Sequence, residues 1–342
     1  MKIAITGATG HIGTNLVRVL LARGHRLRVL IHSSHDALDG ADVERLQGDI
    51  RDTAAVERLC DGVEVVFHLA ALISIEGDRG GRVSSINVEG PRNVARAARR
   101  AGVRRMVHVS SVHAFRHVHG ALVDETSPRV AQDDRFFAYD RSKAAGEIEV
   151  RREVERGLDA VVAHPSGVVG PYDHAPSRMG RVIRLLARGL LPIVIPGAYD
   201  FVDVRDVTSG LLAALEHGRT GESYLLTGHR VSIREMAERV ATITGQRRPW
   251  FTVPAPLARF VAPAGARAAR LVGAEPLFTR ESLSVISSNV SFDRGKAARE
   301  LGYVPRPFDD TLADTVRWHE VARTGDRVAT ESAFRSLSPE DP

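Results

Sequence analysis

Between residues 2 and 165, short apolar runs alternate with longer stretches in which apolar positions recur every three or four residues. Lys2–Thr6, Leu27–Ile31, Val43–Gln47, Val63–Ala70, Arg105–Ser110 and Ala160–His164 read as strands. Several are apolar almost throughout, as strands covered on both faces are; Glu64 and His68 interrupt the fourth. Between them, His11–Arg23, Thr53–Cys60, Asn87–Ala101 and Tyr139–Arg156 read as helices. Gly24, Gly102 and Gly157 stop three of these, because glycine takes the left-handed cap conformation without steric cost. Regular alternation of strand and helix predicts a doubly wound parallel sheet of the α/β (Rossmann) class.

The rhythm changes near residue 165. Pro165, Pro171, Pro176, Pro192 and Pro196 punctuate loops, and shorter helices follow near Ser177–Arg188, Val204–Glu216, Ser232–Thr244, Asp293–Leu301 and Asp309–Val321. This predicts a dinucleotide-binding domain over 1–165 and a smaller, mostly helical substrate lobe over 166–323, with some return to the main sheet. A polar tail occupies 324–342. Pro254–Val272 is apolar with interspersed Arg and reads as a lid helix over the pocket.

The bulk numbers narrow the class. Hydrophobic residues make 43% and charged residues 26% of 342, within the globular range, and no run approaches the roughly 20 apolar residues that span a bilayer. The first residues read at once as a buried strand rather than a secretion signal. Cys60 is the single cysteine, so no disulfide forms within the chain and the cytoplasm is the expected compartment. The net charge is +5, and only Lys2, Lys143 and Lys296 are lysines. The arginines are spread along the chain among Asp and Glu, which reads as a solvated surface rather than a nucleic-acid or membrane patch. His108, His113, His117 and His119 cluster in sequence but lack the acidic or thiol company a metal site uses, so no metal is expected.

Two motifs carry chemistry. Thr6-Gly-Ala-Thr-Gly-His-Ile-Gly13 follows a predicted strand and opens a predicted helix. In that setting Gly7 allows the tight turn, Gly10 lets backbone approach a pyrophosphate, and Gly13 lets the helix pack on the strand; the helix N-terminus supplies unpaired N–H groups. Thr9, His11 and Ile12 lie in the same loop. Tyr139-Asp-Arg-Ser-Lys143 places a phenol and an ammonium four apart, hence on one helix face. A nearby ammonium favours phenolate, which makes the pair a general acid/base for carbonyl–alcohol chemistry. Ser110 and Ser111 supply a hydroxyl at a strand end.

The Thr-Gly-x-x-Gly-x-x-Gly spacing and these segments together resemble the extended short-chain dehydrogenase/reductases, over about residues 1–320. The resemblance implies a catalytic set of Ser111, Tyr139 and Lys143, with Ser110 nearer the cofactor. It implies that Asp49, in Gly48-Asp-Ile-Arg-Asp52 with Ile50, bonds the adenine amine, and that Leu69, Ala70 and Ala71 lie along the cofactor. Asn87 matches the family's helix start. Pro165, Ser166 and Val168 fall in the loop that meets the nicotinamide amide, and Phe201-Val-Asp-Val-Arg-Asp-Val207 resembles a marker of the extended branch. A two-fold helix bundle built from Asn87–Ala101 and Tyr139–Arg156 is implied, hence a homodimer, with Val94, Ala98, Ala145 and Ile148 on the outer faces.

The end of the second strand reads Leu30-Ile-His-Ser-Ser-His35 and carries no acid to repel a 2′-phosphate. His32, Ser33 and Ser34 can donate to one, so NADP is expected over NAD. His113, Phe115, Phe136, Phe137 and Ser166 are the candidate substrate contacts, with Trp250 and Phe251 as further pocket wall. Three functions compete: a reductase of an apolar ketone or aldehyde, resembling dihydroflavonol reductases and 3β-hydroxysteroid dehydrogenases; a nucleotide-sugar epimerase or dehydratase; and a non-catalytic dinucleotide sensor. The Ser–Tyr–Lys set argues against the sensor. Val112-His113 after Ser111, where the family's dehydratases carry Asp–Glu, argues for the reductase acting on a small-molecule carbonyl or alcohol.

Overall fold

The computed structural model describes residues 1–32, 36–74, 77–254, 256–257, 260, 283–284, 287 and 290–323. Ser33, Ser34, most of the Pro254–Val272 segment and the 324–342 tail lie outside the described residues. The first half runs β1 (Lys2–Thr6), α1 (His11–Ala22), β2 (Arg26–Ile31), β3 (Glu44–Gln47), α2 (Thr53–Cys60), β4 (Val65–His68), a single turn α3 (Arg82–Ser84), α4 (Gly90–Arg100), β5 (Arg105–Val109), β6 (Leu122–Val123), α5 (Ala138–Glu155) and β7 (Ala160–Pro165). The second runs β8 (Gly167–Val169), α6 (Arg178–Ala187), β9 (Ile193–Val194), β10 (Ala198–Asp203), α7 (Val204–His217), β11 (Ser223–Leu226), β12 (His229–Ser232), α8 (Ile233–Thr244), β13 (Phe251–Thr252), β14 (Ser291–Phe292), α9 (Gly295–Leu301) and α10 (Phe308–Arg323).

Seven strands form one parallel sheet in the order β11-β7-β5-β4-β1-β2-β3. The order reverses between β1 and β4, the switch point at which α/β sheets open a crevice beyond their strand ends. On one face Leu16 and Leu20 of α1, Val207 and Leu211 of α7 and Leu301 of α9 cover the sheet; on the other, Val56 and Leu59 of α2, Val94 and Ala98 of α4 and Val150 of α5 do so. Both faces are thus dry, which is why the strands read as apolar runs.

Two expectations need correction. The predicted helix at Asn87–Ala101 begins as a turn at Arg82, passes through a wide π-helical segment over Ser85–Glu89, and becomes α-helical only at Gly90. The second lobe also holds more strand than its prolines suggested. A three-stranded sheet, β12-β10-β8, and short pairs β13-β9 and β14-β6 lie within it or at its join. Helices α6, α8 and α10 pack on these strands through Val182, Ile183, Met236, Val240, Leu312 and Val316.

The segment marking the extended branch has a visible structural task. Asp203 accepts from Arg205 N at the start of α7 and, with Asp314 of α10, holds the buried Arg205 guanidinium (2.7 Å to each). Asp206 accepts from Arg306 Nε (2.8 Å). The strand-to-helix turn is thereby tied to the last helix by buried charge. A second tie joins the lobe to the glycine loop's own helix: Pro171 O accepts from Asn15 Nδ2 and pairs with His11 Nε2 (3.0 Å).

Candidate active site

The glycine loop sits at the C-terminal end of β1. Gly7 has φ +74°, and a Cβ there would lie 2.6 Å from Ala70 N. A Cβ on Gly13 would lie 2.1 Å from Gly7 O. These two glycines are demanded by the close packing of β1, α1 and the Leu69–Ala70 loop. Gly10 differs: it is exposed and a Cβ there would meet only Gly7 O, at 3.3 Å. It is the open side of the turn, and no side chain caps α1, so the first N–H groups of that helix face outward for a ligand. Thr9 and Ile12 are half-buried beside it, while the His11 side chain is engaged with Pro171 O rather than with the loop's open side. Glycines that allow backbone approach, beside a helix start with free donors, fit a dinucleotide pyrophosphate.

Around the adenosine end, Asp49 accepts from Arg51 N and Nε through one oxygen and from Arg51 Nη2 (2.7 Å) through the other. The Arg51 guanidinium holds its carboxyl below the usual range. Asp49 also lies 3.4 Å from the exposed His32 ring. Asp49, with Arg51 bonded to it, therefore stands beside His32, just past the end of β2. Ile50 is buried against the core. Asn87 is tied up by protein: it accepts from Leu72 N and donates to Leu72 O and Ser142 Oγ (2.9 Å). Its side chain fixes the loop after β4 to α5. Ala71 is exposed on that loop.

The catalytic candidates converge from β5 and α5. The Ser111 hydroxyl accepts from His113 N and acts on the Tyr139 phenol, favouring its ionised form. Ser110 points elsewhere, its hydroxyl buried without a partner. Geometry thus separates two serines that sequence leaves adjacent. Burial pushes the Tyr139 phenol up to about 12, opposed by the Ser111 hydroxyl and by the charge of Arg178 of α6. Lys143 lies one turn on, buried, its Nζ donating to Val109 O (2.9 Å). Burial lowers its pKa to about 8, with the Glu147 carboxylate opposing that shift. Glu147 is itself buried and held ionised by His164 (2.9 Å), Arg129 (3.0 Å) and Arg151 (2.8 Å). Strand ends behind this set present His68 and His108, stacked with centroids 5.2 Å apart and kept neutral by burial.

Several predicted wall residues fall elsewhere. Phe115 is fully buried, under the Arg129 guanidinium (3.9 Å) and against His164 (4.8 Å). It packs in a small core with Val112, Val123, Leu225 and Val290. Trp250 and Phe251 are 77% and 44% exposed on the β13 ribbon and enclose nothing among the described residues. Ser166 donates to the buried Asp200 (2.5 Å), which also accepts from Gly228 N, so this hydroxyl is engaged. Pro165 and Val168 belong to β7 and β8. Phe136 and Phe137 stand half-buried at the start of α5, beside Tyr139.

The structure adds two residues to the site that sequence reasoning missed, Asp140 and Tyr199, and sets Arg178, a cation the sequence offers to a nucleotide-sugar diphosphate, to act on the phenol. Asp140 bonds His113 Nδ1 (2.9 Å), His113 Nε2 bonds the Tyr199 hydroxyl (2.9 Å), and Arg178 acts on the Tyr139 phenol. Asp140 carried a signal, its adjacency to Tyr139. Tyr199 carried none, since it arrives from another element.

Fold and site together define a Rossmann-type oxidoreductase class. The model of the NAD dependent epimerase/dehydratase family matches residues 3–227, and the chain belongs to that family, within the extended short-chain dehydrogenase/reductases; it is an enzyme. It is 40% identical to sterol demethylase protein B of Methylococcus capsulatus over 93% of this chain and 98% of that protein. A putative dihydroflavonol 4-reductase of Synechocystis is 31% identical over 92% and 94%. Among solved structures, the dTDP-glucose 4,6-dehydratase DesIV of Streptomyces venezuelae, with NAD bound, superposes with a TM-score of 0.77 at 26% identity, covering 96% of this chain and 99% of that one. Among the described residues, no helix is long and apolar enough to cross a membrane.

Proposed function

We propose that this enzyme interconverts a ketone and an alcohol on a mainly apolar small molecule, using a nicotinamide dinucleotide. The observation that carries the reading is Tyr139 and Lys143 one turn apart on α5, with Lys143 bonded to the end of β5 at Val109 O and the Ser111 hydroxyl acting on the phenol. Ser111 and Tyr139 hold the substrate oxygen, and Tyr139 gives or takes its proton. Lys143 holds the ribose side of the site and supplies the cation beside the phenol. Gly10 and the start of α1 hold the pyrophosphate; the cofactor, when bound, supplies or accepts the hydride. The half-buried Phe136 and Phe137 favour an apolar substrate, as does similarity to a protein named for sterol demethylation. His32, exposed just past β2, favours NADP over NAD, and the Asp49 carboxylate 3.4 Å from it favours NAD. A homodimer completes the reading.

A nucleotide-sugar reading has one observation in its favour: Arg178 at the start of α6 is a cation whose charge acts on the Tyr139 phenol, and a cation on this side of the site suits a diphosphate. Assaying the purified protein for cofactor oxidation against apolar ketones, alongside calorimetry with UDP- and dTDP-sugars, separates the two. Ketone reduction is expected. Micromolar sugar-nucleotide binding without any ketone reduction would overturn the proposal.

A further inference from the structure

Arginines that lie scattered along the sequence are gathered by the fold on one face. On α4, Arg92, Arg96, Arg99 and Arg100 recur at i, i+4, i+7 and i+8, one stripe of the helix surface, while Val94, Ala95, Ala97 and Ala98 are buried in the core. Helix α5 packs beside α4 and adds Arg152 and Arg156. Between the two helices runs a groove of about 480 Å³ whose lining is charged throughout. Two acids in it answer six arginines. Glu149 and Glu153 form the floor, their side chains 11% and 5% exposed, whereas the paired arginines are between 33% and 61% exposed. Each carboxylate is shared. Glu149 accepts from Arg92 (2.9 Å) and Arg152, and Glu153 from Arg99 and Arg156 (2.6 Å each). Arg100 reaches out of the groove to Glu57 at 3.3 Å. Arg96 is exposed and has no ion-pair or hydrogen-bond partner among the described residues.

Helix stability does not explain this arrangement. A cation complements the roughly half negative charge at a helix C-terminus, which gives Arg99, Arg100, Arg152 and Arg156 a structural task. Arg92 stands in the first turn of α4, where the dipole opposes a cation, and Arg96 stands mid-helix. Arg92–Arg96 and Arg96–Arg100 are like-charge pairs four apart, which cost stability. Six arginines against two glutamates leave a surplus of four in the groove, beside +5 for the whole chain. Two helix ends and the outlying Glu57 together offset about two of these, and about two charges remain unanswered.

We propose that the α4–α5 groove binds a small multivalent phosphate, a molecule carrying two or more phosphoryl groups, at a site separate from the dinucleotide cradle. The guanidinium fork matches phosphate oxygens two at a time, and an anion among crowded guanidiniums relieves their repulsion. Arg92, Arg96 and Arg100 follow one another about 6 Å apart along the helix axis, so neighbouring phosphoryl groups each meet a guanidinium. The groove has the size of a small-ligand site. Its lining holds no aromatic ring on which a nucleic-acid base would stack and no apolar side chain to anchor a peptide. Arg152 lies about 14 Å along α5 from Lys143, so the site does not compete with the chemistry at Tyr139. Two copies meeting through these helices would bring two such grooves together, and an anion between them would serve both.

The test is calorimetry on the full chain saturated with dinucleotide, so that the glycine loop is occupied. Inorganic tripolyphosphate is the probe, at constant low ionic strength in chloride. Saturable binding is expected, at least about tenfold tighter than that of orthophosphate, because each further charge-assisted contact contributes about that factor. Arg96→Ala should weaken tripolyphosphate roughly tenfold, and Arg96→Ala/Arg100→Ala roughly a hundredfold. Alanine favours the helix, and Arg96 leaves no partner stranded, so the variants keep the fold and the turnover of the wild type. Arg247→Ala removes the same charge from an exposed position outside the groove and should change the Kd by less than about twofold. No saturable heat with tripolyphosphate overturns the site, as does equal weakening by Arg96→Ala and Arg247→Ala. Tighter binding of oligoglutamate or of a single-stranded oligonucleotide, at matched charge, overturns the proposal in favour of a macromolecular partner.

Discussion

The two halves of the molecule build their shares of the site in different ways. In the first half, each functional side chain hangs from the end of a strand or the first turns of a helix, within a short stretch of chain. Gly7, Gly10 and Gly13 belong to one turn, Ser111 to the end of β5, and Tyr139 and Lys143 to one face of α5. In the second lobe, the contributions come from scattered points and are fixed by long-range bonds: Tyr199 to His113, Asp200 to Ser166, and Pro171 to His11 and Asn15. The first half makes a cradle from local rules that many sequences obey. The second decides what the cradle faces, through contacts specific to this chain.

Perturbing each half sharpens that contrast. The largest effect is expected in the first: Tyr139→Phe should lower kcat by between about a hundredfold and ten-thousandfold, with cofactor Kd changed by less than about threefold, because the phenol acts on the substrate. Stopped-flow turnover and fluorescence titration check this, and a variant retaining a tenth of the wild-type rate removes the role assigned to Tyr139.

Next comes Glu147→Ala, which strands His164, Arg129 and Arg151 around a buried vacancy. Breaking such a buried charge cluster typically costs about 3–5 kcal/mol, readable by urea denaturation. The same variant bears on pH. Lys143 has a pKa lowered to about 8 by burial, so its ammonium is present below that pH and lost above it. The kcat/KM for reduction is therefore expected to fall as pH rises through about 8. Where Glu147→Ala still folds, that limb should move to lower pH, because Glu147 is the charge that supports the ammonium. A limb that stays in place would exclude Lys143 as its origin.

A smaller effect concerns cofactor choice. Wild type is expected to bind NADP more tightly than NAD, and Arg51→Ala should weaken NADP by roughly tenfold while changing NAD little, since one charge-assisted bond to phosphate is lost. Isothermal titration of both dinucleotides decides it; tighter NAD binding by the wild type would refute the NADP preference.

The smallest effect concerns assembly. Val94 and Ala98, expected on the outer face of the α4–α5 pair, are buried in the core instead. That outer face carries Arg92, Arg96, Arg99, Arg100, Arg152 and Arg156 around Glu149 and Glu153. A dimer formed there would rest on screened surface charge, so light scattering should show a mass above the 37.2 kDa protomer at low salt that falls toward it near 1 M. A monomer at every salt concentration would exclude a dimer through these helices.

The amino-acid order alone determined the sheet-forming runs, the capped helices, the glycine turn and the Tyr139–Lys143 spacing. Each depends on residues within a few positions of one another, where apolar period, glycine freedom and helix geometry act directly. The β-strands of the second lobe escaped the same logic, because β8, β9, β12 and β13 are two to four residues long and take their pairing from distant partners. Tertiary structure alone decided that Phe115 is core and not wall, that Asn87 bonds Leu72 and Ser142, and that Asp49 pairs with both His32 and Arg51. It also decided that Tyr199, 86 residues from His113, completes a hydrogen-bonded chain beside the catalytic phenol. The reason is physical: orientation of a side chain at a strand end or in a loop is set by which donors, acceptors and rings the fold brings within bonding distance, and no local periodicity encodes those.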